Sequence, residues 1–164
     1  MDIDGRLSLR VPQVAESKTL WIESGFALTQ YAPRPTTSDW ARTTVEIPTE
    51  IVFLPTGKAI QDSWGDFTIP GAEITATASL ASISNEGPAH GAGWAVDRCR
   101  AKQDATGRVI VEADLAVRDI DGAVLRIAYT AIALGYDRSI PPKTKAKDQI
   151  QTDEVMTEPP KYKR

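Results

Sequence analysis

One cysteine and one histidine are all that the 164 residues hold of the two commonest metal-binding side chains. A single thiol excludes an internal disulfide, and the pair cannot make up the usual zinc sets, so neither a metal nor another cofactor is expected. No apolar run approaches the roughly 20 residues of a membrane-spanning helix, so no membrane partner is expected. The first residues, MDIDGRLSLRVPQV, lack the basic-then-apolar pattern of a secretory signal, which makes a soluble, cytoplasmic protein the default expectation. There is no basic stripe, and the net charge is −3, which argues against nucleic acid as a partner, because phosphate neutralisation needs a basic surface. Convincing helical periodicity is missing as well.

Strand patterning is abundant instead. Alternating or β-branched segments run over 6–11, 19–31, 43–54, 59–69, 72–84, 94–104, 108–119 and 123–135, with turn signals between them. In the second segment Leu20, Ile22, Phe26 and Leu28 alternate with more polar neighbours. About eight antiparallel strands of this spacing predict an all-β domain over residues 1–135, a closed or nearly closed small β-barrel ending in a meander. From Tyr136 the chain turns rich in proline and charge, and 136–164 reads as a polar C-terminal tail.

Asp119-Ile120-Asp121-Gly122 has the opening of a calcium loop but not its close. The bidentate glutamate required about twelve residues from the first aspartate is replaced by Thr130, and both flanks alternate like strands. Aspartate first and glycine fourth is the chemistry of a bulged hairpin turn, and Asp104-Ala105-Thr106-Gly107 repeats it. Two such turns predict a three-stranded meander. In the first hairpin Arg100 would face Glu112, Arg98 would face Asp114 and Trp94 would face Arg118; in the second, Val117 would face Leu125, Leu115 would face Ile127 and Ala113 would face Tyr129. The Pro55-Thr56-Gly57 stretch reads as a turn that starts at Leu54.

That register sorts the meander into a charged face, with Arg98, Arg100, Glu112, Asp114 and Arg126, and an apolar face. The apolar face comprises Ala95, Asp97, Cys99, Ala101, Val109, Val111, Ala113, Leu115, Val117, Leu125, Ile127, Tyr129, Ala131 and Ala133. Asp97 is its one carboxylate, and a carboxylate among apolar groups needs a partner, water or a proton. Asp97 as acid or base and Tyr129 as donor are therefore the candidate catalytic pair, with Cys99, Trp64, Trp94, His90 and Phe26 as candidate ligand contacts. If the charged face points inward instead, its residues become a site for a polar ligand.

GDFTIPGAEI, Gly93-Trp94 and DGAVLRIAYTAIAL, spanning 65–134, resemble an uncharacterised bacterial family of small calycin-like (lipocalin-like) β-barrels. The resemblance implies a barrel that binds a small apolar molecule; by analogy with cyclases of the same architecture, it implies a cofactor-free cyclase or isomerase acting on an apolar biosynthetic intermediate. A non-catalytic ligand carrier or assembly subunit is the alternative reading, and homo-oligomers fit either. The same strands are also similar to the last strands of hotdog thioesterases and dehydratases, which implies acyl-thioester chemistry and a long central helix.

Overall fold

The computed structural model describes residues 1–15, 18–31, 40–62, 65–84, 93–118 and 123–137. Among them every regular element is a strand: β1 (Asp2–Ala15), β2 (Lys18–Tyr31), β3 (Ala41–Val52), β4 (Ala59–Asp62), β5 (Gly65–Thr68), β6 (Glu73–Ser84), β7 (Gly93–Gln103), β8 (Arg108–Arg118) and β9 (Ala123–Gly135). All pairing is antiparallel. A four-stranded sheet has the order β1-β2-β9-β6, a three-stranded sheet has the order β3-β8-β7, and β4 and β5 form a separate hairpin. The all-β, antiparallel class expected from the sequence is what is found. None of the described sheets closes on itself, so the barrel gives way to two open sheets that share a core. The fourth expected strand, 59–69, is the β4–β5 hairpin. The long helix of the hotdog architecture does not occur among the described residues.

The hairpin between β7 and β8 is set by its turn. Asp104 N–H donates to Arg108 O at 2.9 Å and Gly107 N–H to Asp104 O at 2.9 Å, while the Asp104 carboxylate accepts from the N–H groups of Thr106 and Arg108. Gly107 takes φ +87°, the left-handed conformation that the bulged turn requires. Arg100 pairs with Glu112 and Arg98 with Asp114, as the sequence predicted. Beyond them the register slips. Val96 pairs with Leu115, leaving Asp97 as an extra residue, and Trp94 lies opposite Val117, not Arg118. Arg118 stacks on Trp40 instead, 5.3 Å from the ring centre. The turn after β3 is also one residue late, with Lys58 N–H donating to Pro55 O at 3.3 Å and Gly57 at φ +76°.

The second expected hairpin is not formed. β8 pairs with β3 and β7, whereas β9 pairs with β2 and β6, so the chain changes sheet between them; residues 119–122, on which the turn reading rests, lie outside the described residues. The expected apolar faces are nevertheless the right ones. Val109, Val111, Ala113, Leu115 and Val117 of β8 and Leu125, Ile127, Tyr129, Ala131 and Ala133 of β9 are all buried in one cluster with Val45, Ile47, Ile51 and Phe53. They meet across the core rather than side by side. β9 ends at Gly135, and the two residues after it stay packed: Phe53 bridges to Asp137, Leu54 N–H donates to Tyr136 O at 2.7 Å, and both Tyr136 and Asp137 are buried. The rest of the expected tail, 138–164, lies outside the described residues.

Candidate functional site

A cleft of about 410 Å³ lies on the outer side of the three-stranded sheet, lined by Arg42, Thr43 and Thr44 of β3, Asp97, Arg98 and Arg100 of β7, and Asp114 and Leu115 of β8. Strand alternation places Thr44, Asp114 and Arg98 in one outward-facing cross-strand row, whereas Thr43 and Leu115 pair in the neighbouring row, which faces the core. The bulge adds Asp97. An extra residue between Val96 and Arg98 inverts the alternation, sends Val96 to the core and turns Asp97 to the charged face. The Asp97 side chain keeps 35% of its exposure and pairs with Arg42 at 3.2 Å. Its expected place among apolar groups is thus corrected by one inserted residue.

Charge is unevenly matched in the cleft. Asp114 accepts from Thr44 Oγ1 at 2.7 Å and from Arg100 Nη1 at 3.2 Å, and Arg100 also binds Glu112 through Nε. Arg98 has no ion pair or side-chain hydrogen bond among the described residues. Three guanidinium groups therefore stand against two carboxylates, each already held by an arginine. Next to the cleft, Lys102 bridges Glu112 and Glu46. Lys102 and Arg100 together hold the Glu112 carboxyl down at about 2. A carboxyl with its folded value depressed stabilises the fold above its unfolded value, roughly 4.3, and loses that contribution as pH falls through the folded one. Denaturation midpoints of the wild type and Glu112→Gln should therefore differ most above about pH 5 and converge toward about pH 2.

The expected site residues are dispersed. Tyr129 projects from β9 into the core, and Asp97 lies on the far side of the three-stranded sheet, so the proposed catalytic pair does not face one substrate. Cys99 is half-buried against the core, and burial pushes its thiol up. Trp94 is 54% exposed near the start of β7. Phe26 is half-buried under the Arg126 guanidinium, 4.0 Å from its ring centre. Arg126 itself belongs to the other sheet, away from Arg98 and Arg100. Trp64 and His90 lie outside the described residues.

What surrounds Tyr129 is a group that strand patterning concealed. Glu23 of β2 is fully buried; its Oε1 accepts from the Tyr129 hydroxyl at 2.8 Å and lies 3.2 Å from Arg6 Nε, and its Oε2 accepts from Glu50 N–H at 2.7 Å. Arg6 reaches on to Glu50 Oε1 at 2.6 Å and to Pro48 O at 3.2 Å. Burial, with the neighbouring Glu23 carboxylate adding to it, pushes the Tyr129 hydroxyl up to about 12, so it keeps its proton. Glycine at position 25 leaves room for the ring; a Cβ there would lie 3.1 Å from the Tyr129 oxygen, tighter than ordinary packing. This network ties the irregular part of β3 between Pro48 and Val52 to the four-stranded sheet. Both acceptor oxygens are engaged, which makes it a structural tie with no free base.

No known protein family matches the sequence, and no curated protein or solved structure matches it either. The class defined by fold and cleft is a two-sheet antiparallel β protein with an arginine-rich outer face. No helix long and apolar enough to cross a membrane occurs among the described residues.

Proposed function

We propose that this protein is a non-catalytic carrier of a small molecule bearing a carboxylate or phosphate group, held in the cleft of the three-stranded sheet. The observation that supports it is Arg98, a guanidinium with no ion pair or side-chain hydrogen bond among the described residues, set beside Arg42 and Arg100. A guanidinium presents a planar fork of donors that matches both oxyanions. The anionic ligand replaces the apolar one expected from the sequence, because the bulge moves Asp97 out of the core and onto a charged surface. Catalysis is not part of this reading, since Asp97 and Asp114 are tied to arginines and Tyr129 is committed to Glu23.

Titration calorimetry with inorganic phosphate and with succinate, as separate arms, tests the reading and distinguishes the two head groups. Whichever anion binds should bind about tenfold or more weakly to Arg98→Gln, the loss of a charge-assisted hydrogen bond. Failure of both anions to bind, or equal affinity in the variant, contradicts it.

A further inference from the structure

The outer face of the four-stranded sheet carries a second feature, independent of the cleft. On β2 the side chains that enter the core are Thr19, Glu23 and Ala27, whereas Leu20, Ile22, Phe26 and Leu28 take the opposite face. Cross-strand pairing continues that face into two apolar rows, Leu9–Ile22–Ile132 and Val11–Leu20–Leu134. Leu7 and Leu9 are 74% and 56% exposed, and Val11 and Ile132 are also exposed. Contiguous apolar surface of this kind marks an interaction site. The rows run to β1, the end strand of its sheet, beyond which no strand lies among the described residues.

β1 is built symmetrically about Leu9. Its two left-handed residues are Gly5 (φ +60°) and Gln13 (φ +56°), four positions before and four after Leu9, and the ladder to β2 is irregular at the same two places. The regular segment between them is therefore centred on Leu9. If it is paired antiparallel with itself across a two-fold axis at Leu9, Leu7 falls opposite Val11, Ser8 opposite Arg10 and Arg6 opposite Pro12. Pro12 has no N–H to give, so the ladder between copies ends there and spans Leu7 to Val11 on each. No arginine opposes an arginine directly. Arg6 and Arg10 are in addition neutralised within their own chain, by Glu23 and Glu50 and by Asp137.

We infer that a second copy of this chain docks on β1, joining the two four-stranded sheets into one sheet of eight strands through a two-fold axis at Leu9. This satisfies the strand edge from Leu7 to Val11 and unites the apolar rows of both copies, as an isologous contact does. The symmetric placement of Gly5 and Gln13 favours a copy of the same strand over any other occupant.

Sedimentation velocity at micromolar concentration tests it on the full chain. The wild type should sediment as two chains, and Leu9→Lys and Leu9→Glu should each sediment as one, because like charges then meet on the axis. Mixing the two variants should restore the dimer, since lysine then faces glutamate. The combined variant Leu7→Lys with Val11→Glu should remain dimeric by the same complementarity, with circular dichroism confirming that each variant is folded. A monomeric wild type overturns the inference. So does a dimer that survives Leu9→Lys, which would place the contact elsewhere, or a mixture that stays monomeric, which would leave the apolar face to residues 138–164 of the same chain or to a different partner.

Discussion

Glu23→Ala is expected to destabilise the fold by about 3–5 kcal/mol, the cost of breaking a buried charged network by removing one member. The substitution strands three groups at once. The Tyr129 hydroxyl loses its acceptor, Glu50 N–H loses its acceptor in the irregular part of β3, and Arg6 is left with Glu50 and Pro48 alone. Each stranded buried donor carries a desolvation cost that its hydrogen bond had offset. Glu23→Gln should recover only part of the loss, because an amide oxygen that accepts from Glu50 N–H leaves the amide N–H group facing Arg6 Nε, itself a donor, and requires the Tyr129 hydroxyl to turn and accept. Tyr129→Phe, which removes one hydrogen bond and leaves the ring packed, should cost about 1–2 kcal/mol. Urea denaturation of the three variants measures the series, and a loss below about 1 kcal/mol for Glu23→Ala would show that the network does not tie the sheets.

Gly107→Ala is expected to cost at least about 3 kcal/mol, for two reasons that act at one atom. The residue has φ +87°, where an L side chain is strained, and a Cβ would lie 2.1 Å from the Phe53 carbonyl oxygen. That neighbour is backbone and cannot rotate away. Phe53 N–H also donates to Gly107 O at 2.9 Å, so relief would have to come from separating the end of β3 from the β7–β8 turn. Phe53 is fully buried and bridges to Asp137, which carries the disturbance to the end of the described fold. The same denaturation measurement checks it, and a near-neutral result would contradict the close packing of the turn. Gly57→Ala is the control: it shares a positive φ, but nothing stands within 4 Å of its Cβ position.

How much of this was legible in the sequence follows from what alternation can report. It specifies the face a side chain takes, so the buried residues of β8 and β9 were readable, as was the Asp104 turn with its local aspartate–glycine chemistry. It does not specify the neighbour. Two strands with one apolar face each satisfy the core equally well side by side or across it, and the choice is made by β2 and β6, which flank β9, and by β3, which flanks β8. It also fails at an insertion. One extra residue before Arg98 reversed the assignment of Asp97 and Val96, and no residue type in GWAVDRCRAKQ marks it. On β2 the more apolar set of side chains faces outward, because Glu23 is satisfied by partners contributed from β1, β3 and β9 that are distant in the chain. The residues that could have pointed there are Gly25, which leaves room for the Tyr129 ring, and Arg6 of β1, which pairs with Glu23. Arg98 and Arg100 were legible as a charged face; Arg42, Thr43 and Thr44 joined them only once β3 was placed beside β8.

The claim that the outer face of the three-stranded sheet is the functional surface is tested most directly by mapping amide chemical-shift changes while phosphate or succinate is added. The account predicts changes confined to Arg42, Thr43 and Thr44 on β3 and to Asp97, Arg98 and Arg100 on β7, with the amides of Glu23 and Tyr129 unmoved. Changes centred on Glu23 and Tyr129, with the β3 and β7 amides still, would contradict it and return the site to the core.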